Sequence, residues 1–98
     1  TEIREEAFYK CKALKSFIIS KNVKIIGEKA FYGCEKLKKV TFENTKKAPE
    51  IGEKAFSKTA KGIKFMAENK KTAKLLKTAL KSSGVKTPNV YYVTYTKL

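Results

Sequence analysis

The sequence predicts an α/β fold: a short solenoid with parallel strands and a C-terminal helix–strand cap. The string IGEKAF occurs at residues 26–31 and again at 51–56, and a looser copy, IREEAF, occurs at 3–8. A helical pattern follows at residues 67–83, and then the β-branched and aromatic run VYYVTY at 90–95. A unit this short cannot bury its own apolar face, so the copies are expected to stack on one another.

The repeat extends beyond these six letters, with a period of 23 residues. Ile3 falls on Ile26 after this shift, and the other matched positions are also apolar on apolar. The further pairs are Ala7 and Ala30, Phe8 and Phe31, Cys11 and Cys34, Leu14 and Leu37, Phe17 and Val40, and Ile19 and Phe42. The Ala-Phe pair then recurs at a spacing of 25. Two residues are expected to be lost after it, so that Val40 matches Ile63 and Phe42 matches Phe65.

Two kinds of periodicity alternate within each unit. Residues 14–19 and 37–42 follow the pattern L-x-x-φ-x-φ, where φ is apolar, and the last part alternates with a period of two. This alternation predicts a short strand with one buried face. Residues 23–26 are expected to form a second short strand. The segment GEKAFYG is predicted to form one helical turn, which is too short to be a stable helix alone.

The segment after the repeats is predicted to cover the exposed end of the core. Ala73, Leu76 and Leu80 share one face of the predicted helix, and the glycine and proline that follow should end it. The order strand, helix, strand is a βαβ unit, so the last strand should run parallel to the repeat strands. We expect one structural domain, with about three coils in residues 1–66, the first incomplete, and the cap in 67–98.

The string I-x-x-x-A-F-x-x-C-x-x-L-x-x-φ-x-φ, followed by V-x-x-I-G-x-x-A-F, resembles the leucine-rich repeats of the Bacteroides surface protein A-like type, first described in Treponema surface proteins. The resemblance covers about residues 3–66. Three positions depart from the pattern: Arg4 replaces the usual Gly, Ser20-Lys21 lack the usual Pro, and Thr59 stands where Cys is expected.

The resemblance implies a leucine-rich-repeat solenoid, a right-handed β-α superhelix, from the C-terminal part of a longer chain. It also implies a bacterial protein that is secreted or at the cell surface and binds other macromolecules. The expected function is therefore a recognition or adhesion module, monomeric in this fragment, with a protein or glycan partner.

Catalytic and metal-binding patterns are missing from the sequence. The chain has no His and no Asp, and its nine acidic residues are all Glu. Glu28 and Glu53 recur at a solvent-facing repeat position, where a solvated charge is expected rather than a general acid. There is no C-x-x-C, H-E-x-x-H or G-x-S-x-G motif. We therefore expect no enzyme activity, no cofactor and no metal site.

The charge pattern does not favour a sequence-specific nucleic-acid-binding protein, and the hydropathy pattern does not favour a membrane-spanning one. The formal net charge is +14, yet only Arg4 among the 23 basic residues is an arginine. Specific nucleic-acid contacts favour arginine, whereas a lysine surface attracts polyanions non-specifically or keeps a protein soluble. No apolar run approaches the ~18 residues that a membrane span needs.

Two surfaces are candidates for binding. Alternation along the strands predicts that the outward side chains are Ser16, Ile18, Ser20, Lys39, Thr41, Glu43, Lys64 and Met66. The other candidate is a lysine stripe on the predicted helix, formed by Lys70, Lys74, Lys77 and Lys81. The stripe suggests an alternative function, lysine-driven binding of a glycosaminoglycan or cell-wall polymer, although it is also what the solvated face of a capping helix shows. A third alternative is a structural spacer that binds nothing.

Cys11 and Cys34 occupy the same repeat position and leave two interpretations open. Stacked coils place equivalent Cα atoms about 4.8 Å apart, within the ~4.4–6.8 Å that a disulfide requires. Equivalent side chains of a stack point the same way, however, and both positions pattern as core. Two buried thiols are the favoured interpretation, and a disulfide is the other.

Overall fold

The computed structural model describes residues 2–43 and 48–92. In these ranges, seven short strands and one helix follow one another along the chain. They are β1 (Glu2–Ile3), β2 (Ser16–Ile19), β3 (Ile25–Ile26), β4 (Lys39–Phe42), β5 (Glu50–Ile51), β6 (Lys64–Ala67), α1 (Lys70–Ser82) and β7 (Asn89–Tyr92). No helix of this part of the chain is long and apolar enough to cross a membrane.

The strands form two sheets in which every pair is parallel. One sheet has the order β1-β3-β5, and the other has the order β2-β4-β6-β7. Each coil gives one strand to each sheet, so the predicted α/β solenoid with parallel strands is confirmed. β7 pairs with β6 in parallel, as the βαβ order predicts. The rest of the predicted last strand, 93–95, lies outside the described residues.

The register of the third coil differs from the prediction. Val40 pairs with Phe65 and Thr41 with Met66, so the spacing remains 25. The predicted matches of Val40 to Ile63 and of Phe42 to Phe65 are therefore wrong. The physical reason is that a slip of two residues keeps the same side chains on the buried face of a strand. Apolar alternation alone consequently allowed both registers.

IGEKAF forms consecutive tight turns rather than the predicted helical turn. In the second coil, the N–H of Ala30 donates to the carbonyl of Gly27, and the N–H of Tyr32 to that of Lys29, both at 3.1 Å. Lys29 has a φ of 54° and Gly33 a φ of 77°. Residues in this left-handed region interrupt a helix after one bond. The corresponding residues of the other coils, Glu6, Lys10, Lys54 and Lys58, also have positive φ.

The turns of successive coils are joined by backbone hydrogen bonds. The N–H of Phe8 donates to the carbonyl of Ala30 at 2.8 Å, and the N–H of Phe31 donates to that of Ala55 at 2.8 Å. Donors that a helix would satisfy internally are thus satisfied by the next coil. The turn is stable only as part of the stack, which explains why the same letters recur in each coil.

The glycines of the repeat are required by the close approach of the coils. A Cβ on Gly52 would lie against the backbone nitrogen of Glu28 and 2.7 Å from the carbonyl carbon of Gly27. A Cβ on Gly27 would lie equally close to the backbone of residues 4 and 5. Arg4 holds the same position in the first coil, and its side chain is exposed. The second coil packs against one side of the Arg4 backbone. No described coil lies on the other side, where the Cβ of Arg4 points, so a side chain fits there.

Equivalent side chains from successive coils stack to form the core. The ring of Phe31 lies between those of Phe8 and Phe56, with centroids 5.1 Å away on both sides and nearly parallel planes. Phe17 meets Phe31 edge-on at 5.1 Å, and Phe65 meets Phe56 edge-on at 5.2 Å. Other core side chains, all at most 2 % exposed, are Ile19, Ile26, Leu37, Val40, Phe42, Leu76 and Leu80.

The helix α1 is shorter than predicted, because Ala67 belongs to β6. It begins after Asn69, whose side-chain Oδ1 accepts a hydrogen bond from the N–H of Thr72 at 2.9 Å. It ends at Ser82 and is followed by Gly84 at a φ of 108°, and the N–H groups of Gly84 and Val85 donate to carbonyls of the last turn. Its buried side packs against β5, β6 and β7. A domain boundary at residue 66 stays a prediction.

Candidate recognition surface

The outward side of the four-stranded sheet, which we call the strand face, gathers the side chains of the first candidate site. Inward side chains of β2, β4 and β6 alternate with more exposed ones. The strands place on the strand face Ser16, Ile18, Lys39, Thr41, Lys64 and Met66. Ser20 and Glu43 directly follow the last residues of β2 and β4, so their place on this face stays a prediction. The structure adds two residues that sequence analysis missed, Asn89 and Tyr91 of β7. The signal for Tyr91 was the alternation within VYYVTY, which begins one residue after Asn89, but the pairing of this segment with β6 was needed to assign its faces.

The parallel register arranges the strand face in two rows that run across the strands. The polar row consists of Ser16, Lys39, Lys64 and Asn89, each opposite the next. The apolar row consists of Ile18, Thr41, Met66 and Tyr91, paired in the same way. Neighbouring strands lie about 4.8 Å apart, so each row spans roughly 14 Å. Side chains from three coils and from the strand of the cap therefore form one continuous strip.

The apolar row contains side chains that the fold does not use. Ile18 is 64 % exposed although its neighbour Ile19 is 2 % exposed, and Tyr91 at the other end of the row is 47 % exposed. The side chains of Thr41 and Met66 between them are half-buried. A β-branched residue at position 18 suits the strand, but its exposed apolar surface contributes almost nothing to the core.

The charge on the strand face is mainly positive. Lys39 and Lys64 lie opposite each other in neighbouring strands and are both exposed. The Nζ of Lys64 lies 5.7 Å from the ring centroid of Tyr91, a cation–π distance. Glu43, at the end of β4, is the one acidic residue of the predicted set. The face thus combines apolar surface with cations that form no salt bridge within residues 2–43 and 48–92.

The lysine stripe lies elsewhere on the molecule. All four of its residues are exposed, and they lie across α1 from its buried side, which contains Thr72, Ala73, Leu76 and Leu80. α1 packs against β6 and β7, and it does so on their inward side, because their outward residues remain solvent-accessible. The stripe therefore belongs to a different surface from the strand face, and the structure does not bring the two candidate sites together.

Tyr9 and Tyr32 stack on one another at the turns, as expected for partly exposed packing. Their ring centroids are 5.4 Å apart, with planes 9° from parallel. Lys10 and Lys29 place their Nζ atoms 5.4 Å from the ring centroid of Tyr9 and 5.9 Å from that of Tyr32, respectively. Ser57 replaces the tyrosine in the third coil, so this ladder stops after two rungs.

The two cysteines are free thiols in the structure. The Sγ of Cys34 is fully buried and donates to the carbonyl of Phe8 at 3.1 Å, while Cys11 is half-buried. Burial raises the pKa of the Cys34 thiol above its usual range, and a backbone hydrogen bond from Cys11 offsets only part of this rise. Thr59 of the third coil makes a similar bond, from its hydroxyl to the carbonyl of Phe56 at 3.1 Å.

We expect the two thiols to react very differently in the native protein. The thiolate is the reactive form, and burial keeps the pKa of Cys34 high, so an alkylating reagent should label Cys11 well before Cys34. Mass spectrometry of peptides after timed alkylation at pH 8 gives both rates. Denaturation without reductant should then expose two free thiols. A count of zero, or equal native rates, would contradict this assignment.

Other surfaces offer less chemistry. An open groove of about 580 Å³ lies between the β3–β5 strands and the C-terminal part of α1, and its charged lining residues are Glu28 and Glu50. Within residues 2–43 and 48–92, no cluster of three or more His, Cys, Asp or Glu side chains could hold a metal ion.

Comparison with known families gives one match. The family model described as "BspA type Leucine rich repeat region (6 copies)" matches residues 1–91 of the chain. Comparison with curated proteins and with solved structures gives no significant match. The match covers the strands of both sheets, α1 and most of β7.

Proposed function

We propose that this chain, which belongs to the family of BspA-type leucine-rich repeat proteins, is a non-catalytic module that recognises another protein through its strand face. The observation that carries the proposal is the exposed apolar row, above all Ile18 at 64 % and Tyr91 at 47 % exposure. Leucine-rich repeats are interaction modules, and a solenoid offers its strand surface as one extended binding site. The family is typically non-catalytic, in agreement with a sequence that lacks His and Asp.

The residues of the strand face suit a protein partner better than the residues of the lysine stripe do. Aromatic residues and Met are enriched at the centre of protein interfaces, whereas Lys is depleted there. The strand face offers Ile18, Met66 and Tyr91 in one row, with lysines at its side. Side chains of this type account for most of the binding energy when they fill pockets on a partner.

A second candidate, binding of a polyanion by the lysine stripe, is favoured by one observation. All four of its lysines are exposed on the same side of α1. Such binding weakens steeply as the salt concentration rises, because condensed counterions are released on association. A contact with apolar side chains is far less sensitive to salt. A structural spacer would bind neither protein nor polyanion.

The family resemblance suggests where the module works. BspA-like proteins are commonly associated with the cell surface, so we propose a bacterial protein that is secreted or displayed outside the cell. A role in adhesion follows if the partner belongs to another cell or to its matrix. Detection of the native protein on intact cells by antibody, compared with lysed cells, would test this location.

We predict that replacing both Ile18 and Tyr91 by Ser weakens the recognised interaction at least tenfold, roughly the effect of losing one interface hot spot. The probe is an array of purified extracellular proteins, followed by titration of each binder by biolayer interferometry. Because Ile18 and Tyr91 are exposed, the free energy of unfolding should change by no more than about 0.5 kcal/mol. A thermal melt checks that the variant remains folded.

The matched control carries Lys77→Gln and Lys81→Gln on the lysine stripe and should bind the partner as the wild type does. Titration at low and high salt separates the two candidate functions. Binding that survives the change at Ile18 and Tyr91, but is lost with Lys77 and Lys81 or at high salt, would favour the polyanion function. No binder on the array that depends on either surface would favour the spacer.

A further inference from the structure

We propose that the strand face takes an acidic amphipathic α-helix, which lies across the four strands along the axis of the solenoid. This inference rests on the proposed function and specifies the partner of the same surface. Apolar side chains of the partner helix would contact the apolar row, and its carboxylates would lie over the polar row. Three features of the face carry the inference: the spacing of its rows, the order of the rows, and its charge.

The spacing of the rows matches a helix better than an extended strand. Successive positions of a row are about 4.8 Å apart, and one turn of an α-helix rises about 5.4 Å. Over the three steps from β2 to β7, a helix therefore drifts from the row by roughly 2 Å. Residues on the same side of an extended chain repeat every ~6.6 Å. Over the same three steps they would drift from the row by roughly 5 Å, which is more than the spacing between two neighbouring strands. About ten helical residues cover the row at 1.5 Å each.

The order of the rows matches the two faces of an amphipathic helix. Ile18, Thr41, Met66 and Tyr91 follow one another in register, so three apolar side chains lie in one row, with Thr41 between the first two. The polar row runs beside it, two residues earlier in each strand, with Lys39 and Lys64 at its centre. A helix with apolar residues at i, i+3, i+4 and i+7 presents the same arrangement of an apolar stripe beside a polar one.

The charge of the face selects an acidic partner. Lys39 and Lys64 face each other across neighbouring strands, and the one described acid near them in the outward set is Glu43. Two lysines in register repel each other, and carboxylates placed between them would relieve that repulsion. The formal net charge of +14 would also steer an acidic partner to the protein and repel a basic one.

Selection from a phage-displayed library of random 18-residue peptides on the immobilised protein tests this inference. The expected consensus contains Glu or Asp together with apolar residues at i, i+3, i+4 and i+7. Synthesised consensus peptides should become helical on binding by circular dichroism, and a central proline should abolish their binding. A neutral or basic consensus, apolar residues that alternate with a period of two, or no enriched peptide would overturn the inference.

Matched variants assign the site. The double variant Lys39→Gln and Lys64→Gln should bind the selected peptides about tenfold more weakly than the wild type. The double variant Lys77→Gln and Lys81→Gln removes the same charge from the lysine stripe and should have little effect on this binding. The opposite result would overturn the site. If Ile18 and Tyr91 matter but the selected peptides are not acidic helices, the inference fails and protein recognition by the strand face stands. If peptide binding does not change when Ile18 and Tyr91 are replaced, the inference fails, and the array titration of protein binders tests the proposed function separately.

Discussion

Replacing Phe31 by Ala should lower the free energy of unfolding by about 3–5 kcal/mol, a large part of the ~5–15 kcal/mol typical of small domains. The side chain is fully buried and contacts the rings of Phe8, Phe17 and Phe56. Its loss would leave a cavity between three coils that the backbone hydrogen bonds hold at a fixed spacing. Urea unfolding followed by circular dichroism measures the change.

The first coil supplies the control. Phe8 has the same repeat position and also stacks on Phe31, but it is only half-buried. The change of Phe8 to Ala should therefore cost clearly less than the change of Phe31 to Ala, since less apolar surface leaves the core. Equal losses at the two positions would mean that the coils do not stack as described.

Gly52→Ala should destabilise the protein by about 3 kcal/mol, near the upper end for an overpacked site. The added Cβ would lie against backbone atoms of Gly27 and Glu28 rather than against a flexible side chain. The second and third coils would have to move apart, and the backbone hydrogen bonds between their turns would lengthen. The shift in the urea midpoint, at an unchanged slope of the transition, reports the loss.

The three equivalent positions form a graded series. Gly27→Ala meets the backbone of residues 4 and 5 in the first coil, which in the described residues has a neighbouring coil on one side only and can give way, so it should cost less than Gly52→Ala. Arg4→Ala should be nearly neutral, because Arg4 already carries a Cβ and its side chain is exposed. A neutral Gly52→Ala would show that glycine serves the local turn and not the approach of the coils.

Much of the fold can be predicted from the sequence because each coil repeats the same pattern of apolar positions. Apolar matches at a spacing of 23 fix which residues face inward, and the structure buries Ile26, Phe31 and Leu37 completely. Alternation in β2, β4 and β6 likewise fixes which side chains face outward. These features depend on local pattern and on stacking, both of which a single sequence with internal copies reveals.

The features that sequence analysis missed depend on contacts between coils. The slip of two residues at Phe65 leaves the buried face unchanged, so only the ladder with Val40 could decide the register. Positive φ at Lys29 and Lys54 is favoured by no local signal, since lysine rarely adopts it. The turn is held in place by the backbone of the next coil.

The candidate site was predictable only in part, for a related reason. Alternation in the sequence predicted that Ile18 and Met66 face outward. Only the pairing of β6 with β7 shows that Tyr91 lies in the same row. The separation of the lysine stripe from the strand face depends on the packing of α1 on the inward side of the sheet.

The most direct test of the strand face is a map of amide chemical shifts in labelled protein as a selected binder is added. The account predicts that the largest changes fall on residues 16–20, 39–43 and 64–67 and on Tyr91, and that α1 changes little. Large changes confined to residues 70–81, with the strands unaffected, would contradict it and place recognition on the lysine stripe.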